Sequence, residues 1–120
     1  MDVNSQIERY KNKKAVIGVL GLGYVGLPLI LRFVEVGFKV IGFDIDQSKI
    51  DKLNKGDSYI AHIPSDKILQ ATQAGFKATA NFATTTECDA LIICVPTPLN
   101  KYREPDLSFV EKTTQQIAPY

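Results

Sequence analysis

At 120 residues the chain is one domain's worth of protein, and a 45% share of hydrophobic residues is enough for a real core. Fourteen Lys and Arg against thirteen Asp and Glu leave a net charge of +1, which argues against a polyanion-binding surface and hence against nucleic acid as a partner. No window approaches the roughly 18 apolar residues of a membrane helix, and the first residues lack the apolar stretch of a signal peptide, so a soluble, cytoplasmic protein with no membrane partner is expected.

Residues 1–14 are a polar extension in which Ile7 and Tyr10, three apart, allow a short helix lying on the body. Ala15 to Leu20 (AVIGVL) is a short apolar run ending at glycines and reads as a buried strand. From Tyr24 to Val36 the positions Gly26, Ile30, Phe33, Val34 and Gly37 fall on one helical face, with Gly37 as the stop. Lys39 to Phe43 (KVIGF) is a second strand closed by Asp44. Gln47 to Asn54 is a second helix, capped by Asp46 and ended near Gly56. Ser65 is expected to cap a third helix that runs to about Ala74, with Gly75 beyond it. Phe76 to Ala80 is a short strand, and Ala90 to Val95 (ALIICV) a buried one that Pro96 and Pro98 terminate. Asp106 or Ser108 then caps a last helix ending before Pro119. Strands alternating with helices predict an α/β protein with a Rossmann-like, doubly wound parallel sheet of about four strands.

Gly21-Leu22-Gly23-Tyr24-Val25-Gly26 is a GxGxxG run with a strand before it and an amphipathic helix after it. Gly21 permits the tight turn, Gly23 lets the backbone approach a pyrophosphate, and Gly26 lets helix and strand pack closely. The helix start offers free N–H groups and a positive dipole end to the phosphates. Asp44 lies 18 positions after Gly26, near the expected roughly 20, where a carboxylate can accept from both ribose hydroxyls. That arrangement predicts a dinucleotide site selecting NAD over NADP, because a 2′-phosphate would meet the Asp44 charge. A plain strand–helix turn with a capping Asp is the competing reading. Cys88 and Cys94 do not have CxxC spacing and are expected to be buried free thiols. His62, the one histidine, sits in a polar loop and carries no catalytic argument, and no metal site is expected.

The segments GLGYVGLPL (Gly21 to Leu29), GFDIDQSKI (Gly42 to Ile50) and CDALIICVPTPL (Cys88 to Leu99) resemble the UDP-glucose/GDP-mannose dehydrogenase family. PTPLNKYREPDLS, from Pro96 to Ser108, is most similar to its UDP-N-acetylglucosamine 6-dehydrogenase members. The resemblance runs from Ala15 onward, so residues 15–120 are expected to be a partial NAD-binding domain. It implies an enzyme that oxidises a UDP-sugar at C6 with NAD, through a thiol ester on a cysteine, for surface-polysaccharide synthesis. It also implies that Gly23, Tyr24 and Val25 line the pyrophosphate through backbone groups, that Asp44 holds the adenosine ribose, and that Lys49 lies over that ribose or its phosphate. Val95, Pro96 and Thr97 should border the cofactor. For Lys49 an exposed helix lysine, and for Thr97 a turn residue, are the competing readings.

Lys101, Tyr102 and Arg103 form a basic-aromatic loop suited to a nucleotide sugar, or else a solvated loop. Neither cysteine matches the family's nucleophile. The chain is therefore expected to be an inactive fragment of a homo-oligomeric parent, lacking the substrate domain. A free-standing nucleotide-binding module and the coenzyme domain of another NAD-dependent dehydrogenase are the alternatives.

Overall fold

The computed structural model describes residues 2–120. Four short runs able to bury both faces form the strands: β1 (Val16–Leu20), β2 (Lys39–Phe43), β3 (Phe76–Thr79) and β4 (Ala90–Ile93). They pair in parallel in the order β3-β2-β1-β4, with Leu20 opposite Phe43 on one side and Ile93 on the other. The helices are α1 (Val3–Lys11), α2 (Gly26–Glu35), α3 (Gln47–Asn54), α4 (Ser65–Ala74) and α5 (Ser108–Ile117). The order places β1 beside both β2 and β4, so the chain reverses direction of progress across the sheet at β1. That is the Rossmann-like, doubly wound arrangement.

One face of the sheet carries the larger core. Ile17, Val19 and Val40 pack beneath Leu27 and Ile30 of α2, Ile50 and Leu53 of α3, and Ile68 of α4. Ile30 is fully buried, and truncating such a residue to alanine costs about 2–5 kcal/mol. The opposite face holds Leu20, Ile41 and Phe43 with Ile93 beside them, and Phe82, Cys88 and Ile117 pack against it. The connection from β3 to β4 crosses on this second face as a 3-10 helix, Phe82–Glu87, started by the Asn81 side chain accepting from the Ala83 N–H at 3.1 Å. Sequence pattern had no element there, because FATTTE has neither helical nor alternating periodicity.

Several boundaries differ from expectation. The first crossover helix starts at Gly26 rather than Tyr24, since Tyr24 and Val25 form the turn itself. Ser65 does not cap α4. The cap position is Pro64, and the Ser65 hydroxyl instead accepts from the Ser58 N–H at 3.0 Å, closing the preceding loop. Neither candidate caps α5: the cap position is Leu107, which makes no side-chain cap bond, and the Asp106 side chain, one residue earlier, accepts from the Ser108 N–H at 2.9 Å. β4 ends at Ile93 and is half-buried rather than buried, with Leu91 exposed, because it is the sheet's edge strand.

Helix α1 is capped by Asp2, which accepts from the Ser5 N–H at 2.7 Å. It is fastened to the amino ends of β1 and β4, opposite the glycine turn. Arg9 Nη2 donates to Asp89 Oδ2 at 2.7 Å, and that same oxygen accepts from the Val16 N–H at 2.7 Å. Arg9 and the Val16 amide together hold the Asp89 carboxyl below the ordinary carboxylate range.

Candidate functional site

Strand β1 delivers the chain into Gly21, whose φ of 107° lies in the left-handed region. A Cβ there would stand 2.5 Å from the Cys94 carbonyl oxygen, so the exit of β4 packs directly against the turn. A Cβ on Gly26 would collide with the Gly21 carbonyl oxygen, which is how close α2 comes to the end of β1. At Gly23 the situation is the reverse: a Cβ would meet nothing within 4 Å. The Leu27 N–H returns to the Gly23 carbonyl at 3.1 Å. The N–H groups of Gly23, Tyr24 and Val25 have no protein acceptor among the described residues. Open space above unpaired donors at a helix start is a receptive place for an anion.

Asp44 stands where β2 ends, next to that turn. Its Oδ2 accepts from the Leu22 N–H at 3.0 Å and its Oδ1 from the Asp46 N–H at 2.9 Å. An ionised carboxylate has about four acceptor positions, so two remain for ribose hydroxyls. Asp46 caps α3, accepting from the Ser48 N–H at 2.9 Å and the Ser48 hydroxyl at 2.6 Å. Ser48 is also the main reason its carboxyl lies below the usual range. The Lys49 ammonium sits 5.6 Å from the centre of the Tyr59 ring, a cation–π distance. Burial, and then the charges of Asp44 and Asp46, hold the Tyr59 hydroxyl protonated well above the ordinary tyrosine range.

A cavity of about 550 Å³ opens at the carboxyl ends of β1 and β2, on the face covered by α5. Of the residues singled out from sequence, Gly21, Asp44, Lys49, Val95 and Pro96 line it. The rest of its wall comes from Ile45, Phe82, Phe109, Thr113 and Gln116 among others. Sequence reasoning missed these, although Phe109, Thr113 and Gln116 have a helical spacing that marks one face of α5. Tyr24 and Val25 are largely exposed, and Tyr24 stacks on His62 with ring centres 6.3 Å apart.

Thr97 is exposed and does not line the cavity. Nor do Lys101, Tyr102 and Arg103. Their loop is closed by a Leu99–Pro105 bridge and by the Asn100 side chain, which accepts from the Tyr102 and Glu104 N–H groups at 2.8 and 3.1 Å. Lys101 lies over the Tyr102 ring at 5.0 Å.

Both cysteines are free and half-buried rather than fully buried. Burial, then the charges of Glu87 and Asp89, push the Cys88 thiol up to about 11, and burial raises Cys94. Both shifts disfavour the thiolate, the reactive form. Among the described residues no cluster of three His, Cys, Asp or Glu side chains could hold a metal ion, and no helix is long and apolar enough to cross a membrane.

Residues 15–120 match the UDP-glucose/GDP-mannose dehydrogenase family, NAD binding domain. The chain belongs to this family. Similar proteins include the UDP-N-acetyl-D-mannosamine dehydrogenase of Escherichia coli (strain K12), 39% identical over 106 residues that make up 88% of this chain and 25% of that protein. The UDP-N-acetyl-D-glucosamine 6-dehydrogenase of Pseudomonas aeruginosa is 36% identical over 107 residues, 88% of this chain and 24% of that protein. Among solved structures, a UDP-D-ManNAc dehydrogenase from Pyrococcus horikoshii superimposes with a TM-score of 0.80 at 35% identity, covering 87% of this chain and 25% of that one. The chain thus spans about a quarter of the length of these relatives. As the NAD binding domain of a nucleotide-sugar dehydrogenase it takes NAD as its dinucleotide. Family membership also sets aside a coenzyme domain of some unrelated dehydrogenase.

Proposed function

We propose that residues 15–120 supply NAD recognition to a nucleotide-sugar 6-dehydrogenase, with residues 1–14 as an N-terminal extension. The proposed substrate is UDP-N-acetylglucosamine or a closely similar UDP-N-acetylhexosamine, oxidised at C6 to the uronate for surface-polysaccharide synthesis by a homo-oligomeric enzyme. The observation that carries the reading is the adjacency of three features: the open Gly23 backbone, the Asp44 carboxylate with spare acceptor positions, and the cavity beside them.

NAD, when bound, supplies the hydride acceptor. On this reading the N–H groups of Gly23, Tyr24 and Val25 receive its pyrophosphate, with Gly21 and Gly26 shaping the turn. Asp44 accepts from the adenosine ribose and Lys49 adds positive charge beside it. Phe82, Phe109, Val95 and Pro96 form an apolar wall suited to adenine, and Thr97 follows at the rim. Lys101, Tyr102 and Arg103 are assigned to the phosphates and sugar of the second substrate, since a guanidinium and an ammonium beside an aromatic ring match that chemistry. The N-acetylated sugar is supported by the likeness of the Pro96–Ser108 stretch and by the names of the relatives.

Titration calorimetry of the chain with NAD and with NADP tests the cofactor site, NAD being expected to bind at least tenfold more tightly. NADH formation by the enzyme that carries this domain, compared across UDP-N-acetylglucosamine, UDP-N-acetylmannosamine and UDP-glucose, tests the sugar. A preference for UDP-glucose would overturn that part.

A further inference from the structure

Tyr59 lies in the α3–α4 connection, outside the glycine turn and outside every motif that singled out a site residue. Its ring packs against the larger core, and its hydroxyl donates to the Leu22 carbonyl. Asp44 takes the Leu22 N–H. Leu22, itself fully buried, is therefore held at both backbone polar groups by side chains from beyond the β1–α2 unit. The Leu22 carbonyl and the Gly23 N–H belong to one planar, trans peptide unit, so they point in opposite directions.

We propose that Tyr59 is a positioning residue for NAD: by holding the Leu22 carbonyl on the inner side of the turn, it aims the Gly23 N–H outward at the pyrophosphate. The outward side is the open one, since a Cβ on Gly23 meets nothing within 4 Å. A hydrogen-bonded carbonyl also polarises its peptide, which strengthens the N–H as a donor. The same ring seats the Lys49 ammonium at 5.6 Å, so one side chain orders two of the groups assigned to the cofactor. Half-buried and near the charges of Asp44 and Asp46, the phenol stays protonated and remains a donor throughout the physiological range.

The inference rests on the glycine turn being the pyrophosphate site, and the test separates the two. Tyr59→Phe keeps the ring and the Lys49 seat and removes only the donor. It should weaken NAD binding about fivefold to tenfold, the worth of one orienting hydrogen bond, and shift the Gly23 amide resonance in the ligand-free protein. Tyr59→Leu, which also removes the seat, should weaken binding further. Site-specific 3-fluorotyrosine at position 59, a stronger donor of the same shape, should tighten binding and move the Gly23 resonance the other way, which covers the case in which the phenylalanine variant folds poorly. A Tyr59→Phe protein that melts earlier but binds NAD within twofold of wild type would make Tyr59 a core residue only, provided that Gly23→Val abolishes binding. If Gly23→Val also binds as wild type, the pyrophosphate reading fails, and this inference with it.

Discussion

The three glycines of the Gly21–Gly26 turn answer to different demands, so substituting them should separate folding from binding. Gly23 has no steric neighbour within 4 Å of a Cβ and its φ is not in the left-handed region. Gly23→Val should therefore behave like a surface change, within about 0.5 kcal/mol of wild type, which is a shift of about 2–3 °C in melting temperature for a domain of this size. Its methyl groups, however, fill the volume over the free N–H groups. Losing two hydrogen bonds to a charged pyrophosphate, at about 1.5–3 kcal/mol each, weakens NAD by more than about a hundredfold. Gly21→Ala reverses the outcome. The left-handed backbone costs a side chain about 1–3 kcal/mol, and its Cβ would press on the Cys94 carbonyl at 2.5 Å, so a total loss of about 3–5 kcal/mol is expected. Melting followed by circular dichroism, paired with NAD titration, reads both effects. A Gly23→Val protein that binds NAD as wild type does would refute the approach argued for the pyrophosphate. A Gly21→Ala protein that melts as wild type does would refute the packing of β4's exit on the turn.

Asp44→Asn keeps an oxygen for the Leu22 N–H but loses the charge; NAD should weaken about tenfold and the preference over NADP should shrink by a similar factor, and an unchanged ratio by calorimetry would unseat Asp44 as the selector. Because the folded Asp89 carboxyl lies below its unfolded value of about 3.9, its contribution is present above that value and is lost as pH falls through the lower, folded one. The melting temperatures of wild type and Asp89→Asn should therefore differ most at neutral pH and converge below about pH 4. With its thiol raised from 9.0 to about 11, Cys88 should hold about a hundredfold less thiolate at neutral pH than an unshifted thiol and alkylate correspondingly slowly. For the same reason the chain by itself should form no NADH from NAD and a UDP-N-acetylhexosamine, and turnover surviving in a Cys88→Ser, Cys94→Ser double variant would contradict the assignment of chemistry elsewhere.

What sequence could supply was whatever depends on neighbours along the chain. The strand before Gly21 and the Asp46 cap are decided within a few residues and stand where the pattern placed them, and the first crossover helix differs only in starting at Gly26, two residues late. The cavity wall is different in kind. Phe82 reaches it from a 3-10 helix with no periodic signature, and Phe109 and Thr113 reach it because α5 folds back over the second face of the sheet. No local pattern carries that return. The apolar run ALIICV reports how much surface β4 can bury, whereas its place at the edge of the sheet decides how much it does bury.

Asp44 shows why a correct motif can still leave the physics incomplete. Spacing after Gly26 marks it as the acid at the end of the second strand, and that reading assigns its carboxylate to the ribose. In the folded chain both oxygens already accept N–H groups, one of them from the buried residue at the centre of the glycine turn. The acid therefore belongs to the turn before any nucleotide arrives. Tyr59 grips the same residue from the other side, and neither contact has a signature in spacing, since each joins elements more than twenty positions apart. An Asp44→Ala change would consequently remove a ribose partner and loosen the turn together, leaving a buried N–H without its acceptor. That is why the asparagine variant, which keeps the acceptor and discards the charge, is the one that isolates recognition from architecture.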